Sequence, residues 1–139
     1  MNKIEHIGIA VKDIESANKI YQTLLNTKVY KQEEVKSEGV KTSFLKVGES
    51  KIELLEASNE DSPIAKFIAK KGEGIHHIAY DVDDIEAEMA RLKAEGFQLL
   101  NERPKVGADN KLVCFIHPKS ANGVLIELCQ EMKVENSLF

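Results

Sequence analysis

The sequence lacks the features of a membrane or secreted protein. None of its apolar runs approaches the roughly 20 residues that a bilayer-spanning helix needs. Met1-Asn2-Lys3 leads straight into a strand-like segment, without the apolar core of a signal peptide. No low-complexity stretch interrupts the chain. We therefore expect a cytoplasmic protein that does not enter a membrane.

Concentrated charge is also missing. The 139 residues include 19 Lys and Arg against 23 Asp and Glu, a net charge of −4 that is spread along the chain. Proteins that bind nucleic acids or anionic membranes usually concentrate positive charge. The composition therefore argues against both partners and favours a small molecule.

Cysteine is scarce. Cys114 and Cys129 are the only two cysteines and form no CxxC pair, so we expect reduced thiols rather than a disulfide. The chain is nevertheless long enough to bury a sizeable core without such crosslinks. Its length predicts one domain over residues 1–139.

An internal repeat is the most informative feature that is present. The segment from His6 to Glu15 returns from His77 to Glu86, with matches at His, Ile, Val, Asp, Ile and Glu. A second repeat closes each half, where Ile52-Glu53-Leu54 is echoed by Ile126-Glu127-Leu128. The chain is therefore a duplication, and each half opens with a His and ends with a Glu.

Each half predicts the order β-α-β-β-β. In the first half we expect strands over residues 4–11, 29–35, 40–47 and 52–56, with a helix capped by Asp13. In the second we expect a strand from His77, a helix from Asp84 to Gly96, and strands over residues 98–100, 112–117 and 124–129. A linking helix over about 62–71 joins module one, about 3–57, to module two, about 74–131.

Strand alternation groups the repeated polar residues. His6 and His77 lie opposite the large apolar side chains of their strands, and Glu53 and Glu127 lie opposite their Ile and Leu neighbours. If the two modules form one curved sheet, all four side chains face a shared concave surface. Two imidazoles and two carboxylates suit a divalent transition metal with room for water or substrate.

Each of these residues also has an ordinary structural interpretation. A strand His is often a packed residue held by a hydrogen bond, and a strand Glu often belongs to a solvated face. The repeated Ile-Glu-Leu can also be residual similarity from the duplication. Recurrence as two pairs favours the metal site. His76, with the opposite parity to His77, is predicted to support or pack, and Cys129, which shares the parity of Glu127, is predicted to be an inert buried thiol.

Almost the whole chain, from Ile4 to Gln130, resembles the vicinal oxygen chelate superfamily and, within it, the methylmalonyl-CoA epimerase family. The superfamily resemblance rests on His6-Ile-Gly-Ile-Ala-Val, His77-Ile-Ala-Tyr and Glu127. The epimerase resemblance rests on residues 60–67 and 74–85, and most specifically on residues 115–120 and 123–128. It implies an α+β fold in which two tandem βαβββ modules form one curved, mostly antiparallel sheet around a metal site.

The resemblance also implies an activity. The expected reaction interconverts the R and S forms of methylmalonyl-CoA by proton transfer at C2 through an enolate, with Glu127 and Glu53 as the two proton carriers. His6, Glu53, His77 and Glu127 are the expected ligands of one divalent metal ion, cobalt before nickel, zinc or manganese. Lys119, Ser120 and Thr42 are predicted to contact the acyl-CoA substrate, and the protein is expected to be a homodimer.

Two departures from the family pattern and two alternatives bear on this assignment. Some family members carry Gln at the position of Glu53, and some epimerases place a carboxylate base where Thr42 stands; Thr is no base at neutral pH. Lactoylglutathione lyase, another metal-assisted proton transfer, would use the same four ligands. A metal-free small-molecule-binding protein of this fold is the second alternative, although it would be expected to lose ligands.

Overall fold

The computed structural model describes residues 1–132 of the chain; the tail that the sequence predicts to be frayed, residues 133–139, lies outside the described residues. The described part contains three α-helices, two short 3₁₀ helices and eight strands. In chain order the α-helices and strands are β1 (Lys3–Ala10), α1 (Ile14–Leu25), β2 (Lys31–Val35), β3 (Val40–Val47), β4 (Ser50–Ala57), α2 (Pro63–Lys71), β5 (Gly74–Asp81), α3 (Ile85–Ala94), β6 (Lys105–Val106), β7 (Lys111–Ile116) and β8 (Ile126–Glu131).

The strands form one sheet in the order β2-β3-β4-β1-β5-β8-β7-β6. Within each module the first strand pairs in parallel with the last, β1 with β4 and β5 with β8. All other pairings in the sheet are antiparallel. The predicted α+β fold, with two tandem βαβββ modules in one curved, mostly antiparallel sheet, is confirmed.

The two modules join where β1 pairs with β5, a junction that we call the seam. Ile7 pairs with Ile78, while His6 pairs with Ala79 and Gly8 pairs with His77. Since these residues are equivalents in the repeat, the register is symmetric about the Ile7–Ile78 pair. Paired strand residues point to the same face, so the seam alone places both histidines on one side of the sheet.

Short-range signals set the helix ends. The side chains of Asp13 and Asp84 accept hydrogen bonds from the backbone N–H groups of Glu15 and Ala87, which caps α1 and α3. Ser62 caps α2 in the same way, with Pro63 in the first turn. On α3 the buried face consists of Ile85, Met89 and Leu92. None of the helices in residues 1–132 is long and apolar enough to cross a membrane.

The sequence-based assignment fails at one edge of the sheet. Residues 98–100 do not form the predicted strand, since only Leu99 makes an isolated bridge, to Ile116. The edge is instead Lys105–Val106, within a connection expected to be a loop. The last part of the connection between α3 and β7 is therefore the segment of residues 101–110. We call this segment the strap, because its side chains contact module one.

Candidate metal centre and active site

Four side chains from four neighbouring strands converge at the middle of the sheet. The Nε2 atoms of His6 and His77 are 2.9 Å apart. Glu53 on β4 places Oε1 3.2 Å from Nε2 of His6 and 3.6 Å from that of His77. Glu127 on β8 places Oε1 3.1 Å from Nε2 of His77 and 3.7 Å from that of His6. The structure thus brings together the four predicted ligands, whose metal binding stays a prediction.

Pairing across the parallel strands explains this convergence. Gly8 on β1 is the partner of Glu53, and Ala79 on β5 is the partner of Glu127. Each carboxylate therefore stands beside a residue with little or no side chain. Gly8 lies between Glu53 and His77, and Ala79 lies between Glu127 and His6. The alternation that the sequence predicts for these strands is sufficient to place all four groups on one face.

The donor set fits a divalent cation. Two atoms bound to one metal at about 2.1 Å lie about 3.0 to 3.4 Å apart in octahedral or tetrahedral arrangements. Two of the nitrogen–oxygen distances, 3.1 and 3.2 Å, fall within this range, and the other two, 3.6 and 3.7 Å, exceed it by a few tenths of an ångström. Glu53 and Glu127 are only 4% and 6% exposed, and buried carboxylates require a compensating positive charge.

When no cation is present, the two imidazoles and the two carboxylates stabilise each other's charged forms. Burial by itself lowers the pKa of His77, but hydrogen bonding and charge from Glu127 outweigh it and raise the pKa to about 8. Burial likewise opposes charge on His6, whose pKa is raised well above its ordinary value by the charge of Glu53 and hydrogen bonds to Glu127 and Glu5. The same imidazoles outweigh burial at both carboxylates and lower their pKa values. A bound divalent ion would take the place of these protons.

Two β-bulges, which sequence alternation did not predict, add residues to the site. On β1 the pairing skips Glu5, and on β5 it skips His76, the equivalent position in the repeat. A bulge turns two successive side chains toward the same face. Glu5 and His76 therefore line the cavity beside His6 and His77, instead of pointing away from it.

Glu5 begins a buried chain of charges. Its Oε1 accepts a hydrogen bond from Nδ1 of His6 at 2.8 Å, and its Oε2 lies 2.9 Å from the ammonium of Lys51. Lys51 in turn contacts Asp109 of the strap at 2.8 Å. Burial opposes the charge of Glu5, but His6 and Lys51 outweigh it and lower the pKa of the Glu5 carboxyl to about 2. Glu5 is therefore an anion that holds the His6 ring.

His76 occupies the matching place beside His77. Its Nδ1 lies 2.9 Å from Nδ1 of His77, and its ring meets that of Phe67 edge to face. Burial and the charge of His77 lower the pKa of His76 to about 4, so it is neutral at neutral pH. The contact agrees with the supporting role predicted for His76. The reason given for that role, opposite strand parity, is wrong because of the bulge.

A cavity of about 310 Å³ opens above the cluster. Phe44 and Phe115, which pair across the sheet with Glu53 and Glu127, stand on either side. The strap contributes Lys105, Gly107, Ala108 and Asp109 to the wall, and α2 contributes Pro63 and Ile64. The concave shape, the apolar walls and the central polar cluster are typical of a small-molecule site.

The other predicted site residues lie at different distances from the cluster. Thr42 is buried in the cavity wall, and its hydroxyl donates to the carbonyl of Glu33 at 3.3 Å. Lys119 is exposed in a 3₁₀ turn after β7, and the Ser120 hydroxyl accepts from the backbone N–H of Gln98. Neither Lys119 nor Ser120 is among the residues that line the cavity. Their contact with a substrate stays a prediction.

Cys129 is buried, as predicted, and it contacts one of the predicted ligands. Its Sγ donates a hydrogen bond to Oε2 of Glu127 at 2.8 Å, and the residue is fully buried. Cys114 is also a free, buried cysteine, so among residues 1–132 no disulfide forms, as the sequence predicts. The shared strand parity of Cys129 and Glu127 was the signal for this contact.

The fold and the site define a superfamily. Residues 5–115 match the sequence model of the glyoxalase/bleomycin resistance protein/dioxygenase superfamily, and the chain belongs to it. Within it, the chain is similar to the ethylmalonyl-CoA/methylmalonyl-CoA epimerase of Cereibacter sphaeroides, with 42% identity over 94% of this chain and 98% of that protein. It is also 40% identical to the mitochondrial methylmalonyl-CoA epimerase of Homo sapiens, over 94% of this chain and 74% of the human protein.

A solved structure extends this similarity to three dimensions. The Streptomyces coelicolor methylmalonyl-CoA epimerase, in complex with 2-nitronate-propionyl-CoA, superposes with a TM-score of 0.92 at 35% identity, over 98% of this chain and 99% of that one. The resemblance stated from the sequence is therefore confirmed, and so is the assignment to an enzyme family of epimerases.

Proposed function

We propose that this protein is a metal-dependent epimerase that interconverts (R)- and (S)-methylmalonyl-CoA. The observation that carries the proposal is the pair of buried carboxylates, Glu53 and Glu127, placed on opposite sides of the His6–His77 pair by a pseudo-twofold axis. Epimerisation requires proton transfer on two faces of one carbon atom, and such a pair supplies one group for each face. The relatives named as epimerases of the same substrate support this assignment.

The chemistry starts at an acidic carbon. The hydrogen on C2 lies between a thioester carbonyl and a carboxylate, and its removal leaves an enolate. A divalent ion held by His6, Glu53, His77 and Glu127 would supply Lewis-acid polarisation and stabilise the developing negative charge, an effect worth several kcal/mol. The largely apolar cavity walls would limit the access of bulk water to this carbon.

The two carboxylates then move the proton. Glu127 is the first base that we propose, because its pKa is held low by His6 and His77 and it is therefore ionised at neutral pH. Glu53 is the proposed partner that returns a proton to the other face. Thr42, at the position where some epimerases carry a carboxylate, binds the backbone of β2 and takes no part in proton transfer.

The test of this mechanism is a pair of amide variants. Glu127→Gln, with metal content measured, should slow exchange of the C2 hydrogen with deuterated water by at least about 100-fold, a typical contribution of a general base. Glu53→Gln is the matched control in the other module, because an amide oxygen still binds a metal; it should slow racemisation while exchange from one enantiomer continues. Undiminished exchange in Glu127→Gln would remove Glu127 from the mechanism.

The substrate assignment has a direct assay. Purified protein should exchange the C2 hydrogen of methylmalonyl-CoA in a proton NMR experiment, and stripping the metal should abolish the signal change. The hemithioacetal of glutathione and methylglyoxal should not turn over. Turnover of the hemithioacetal alone would assign the site to lactoylglutathione lyase chemistry instead.

The outer contacts with the acyl-CoA are proposed for Lys119, Ser120 and Thr42. Lys119 is exposed and can meet an anionic group of a substrate that extends beyond the cavity. Lys119→Ala should therefore raise KM several-fold with little change in kcat, whereas alanine at the exposed Lys19 on α1 should change neither. An unchanged KM would exclude the Lys119 contact.

We also propose cobalt as the metal, with nickel, zinc or manganese as alternatives, a homodimer as the working state, and a cytoplasmic location. Histidine and carboxylate ligands accept all four metals, and family resemblance favours cobalt and the dimer. Metal analysis of protein purified without chelator tests the first. Light scattering on a sizing column tests the second, and fractionation of the source cells tests the third.

A further inference from the structure

The strap is attached to module one by two separate sets of ion pairs. Near its middle, Lys105 contacts Glu38 at 2.8 Å. Near its end, Asp109 contacts Lys31 at 2.9 Å and Lys51 at 2.8 Å, while its backbone N–H donates to the carboxylate of Glu33. The two attachments share no residue. Only the second one reaches a predicted ligand through charged groups; Lys105 instead lies over the ring of Phe115, which packs edge to face on His77.

Lys51 joins the second attachment to the metal cluster. Its ammonium lies between Oδ2 of Asp109 and Oε2 of Glu5, and its side chain is 17% exposed. The other oxygen of Glu5 accepts from Nδ1 of His6, which leaves Nε2 of that ring turned toward Glu53 and Glu127. Four side chains thus connect the cavity wall to one ligand without a gap.

Module two has no counterpart to this connection. The repeat places His76 where module one has Glu5, and it places Leu125 where module one has Lys51. His77 is therefore supported by a neutral ring and an apolar neighbour, neither of which contacts the strap through an ion pair. The two metal-binding histidines differ in what fixes them.

We propose that Lys51 is a positioning residue that ties the seating of the strap to the orientation of His6, so that the cavity wall and the metal affinity depend on each other. The ammonium holds the Glu5 carboxylate where it can fix His6 and holds the Asp109 carboxylate where it closes the wall. A strap that lifts frees Lys51 and loosens His6, and a displaced His6 loosens the strap. The inference rests on the metal-binding part of the proposed function.

Three variants distinguish coupling through Lys51 from a general loosening of the strap. Asp109→Asn keeps a side chain that tolerates the left-handed backbone at this position, where φ is 58°, but removes the charge that Lys51 needs. Glu5→Gln weakens the inner end of the chain. Glu38→Gln breaks only the separate attachment to Lys105. Each variant is measured twice, by hydrogen exchange of the strap amides and by titration of metal-stripped protein with Co²⁺.

If Lys51 couples the strap to His6, a change at either end of the chain of contacts should affect the other end. Glu5→Gln should lower Co²⁺ affinity about 10- to 100-fold, the usual range for a residue that supports a ligand, and should also speed exchange in the strap. Asp109→Asn should speed strap exchange and lower Co²⁺ affinity several-fold, although it touches no ligand. Glu38→Gln should speed exchange around Lys105 and leave Co²⁺ affinity within about twofold of wild type.

Two results would overturn the inference. The first is Co²⁺ affinity in Asp109→Asn that matches that of Glu38→Gln despite a loosened strap. The second is unchanged strap exchange in Glu5→Gln. If Asp109→Asn does not fold, Lys51→Met carries the same test with Lys51→Arg as the charge-conserving control. Wild-type protein that takes up no Co²⁺ would refute the metal proposal itself, while the exchange measurements on metal-free variants would still decide whether Lys51 couples the strap to His6.

Discussion

The two halves of the molecule share a scaffold but differ in what surrounds it. Both contribute one His and one Glu from matched positions, and the seam pairs them in a symmetric register. Around this core, module one supplies an ionic chain through Glu5 and Lys51, whereas module two supplies a neutral imidazole and a buried thiol, His76 and Cys129. The shared part is the proposed cation site, and the unshared part makes its two sides unequal. An unsymmetrical substrate therefore meets two different walls.

The largest predicted effect comes from a seam position at which the two modules carry different residues, Gly8 and Ala79. A Cβ added to Gly8 would overlap the imidazole of His77, whereas the equivalent residue in module two is Ala79. Gly8→Ala should displace His77 and lower Co²⁺ affinity by about 1000-fold, about 4 kcal/mol. Co²⁺ titration monitored by visible absorption measures this. Ala79→Gly is the mirror control, and it should bind Co²⁺ nearly as wild type does. Equal affinities for both variants would contradict the predicted displacement of His77.

The helices offer the next comparison. Leu92 on α3 is 6% exposed and belongs to the core of module two, whereas Leu24 near the end of α1 is 69% exposed. Leu92→Ala should lower the free energy of unfolding by about 3 kcal/mol, because it leaves a cavity. Leu24→Ala should change it by less than about 0.5 kcal/mol. Urea unfolding of both variants measures the difference. A large loss in Leu24→Ala would indicate that a second copy of the chain covers this side chain.

Two adjacent histidines should give the metal-free protein a stability maximum near pH 6.5. The pKa of His77 is raised to about 8, so its contribution is complete below pH 6.5 and is lost as the pH rises through 8, about 2 kcal/mol. The pKa of His76 is lowered to about 4, so the unfolded chain takes up its proton first and stability falls as the pH drops below 6.5.

Urea unfolding of metal-stripped protein at about pH 5, 6.5 and 9 measures this maximum. His76→Phe is the useful control, because it should remove much of the loss on the acid side and leave the alkaline side unchanged. Stability that rises steadily to the highest pH would contradict the pairing of His77 with Glu127.

The smallest predicted effect concerns Cys129, which stands where module one has Leu55. Cys129→Ala removes the donor to Oε2 of Glu127, so the carboxylate loses part of its orientation. Proton exchange at C2 should slow about 10-fold at normal metal content, as is usual for a lost supporting contact. Cys129→Ser keeps a donor and should retain most of the rate. Equal rates in both variants and wild type would return Cys129 to the role of inert packing.

The repeat made much of the fold and site predictable. Matching segments around His6 and His77 gave two copies of one module, and strand alternation put both rings and both carboxylates on one face. The sequence predicted that the two modules form one curved sheet, whereas the pairing of β1 with β5 that joins them was seen only in the structure. Helix ends were visible too, because Asp13, Asp84 and Ser62 act within a few residues of their own positions.

The missed features depend on contacts that local sequence does not record. A bulge changes strand parity without a distinctive residue, so the alternation used for His76 breaks there, and Glu5 was missed altogether. The strand predicted over residues 98–100 is absent since its backbone makes one bridge only, while Lys105–Val106 pairs with β7 as a short edge. The strap crosses to module one through ion pairs between residues far apart in sequence, such as Lys51 and Asp109.

The seam has a consequence for how the protein is held together. Each module supplies only two of the four proposed ligands, so the proposed metal site is complete only after β1 and β5 have paired. Binding energy is thereby added to the joined form and not to the separate halves; a thousandfold excess of metal over its dissociation constant adds about 4 kcal/mol to that form. Metal availability should therefore control how often the two halves part, and protease cleavage in the segment between β4 and α2 should slow as metal is added.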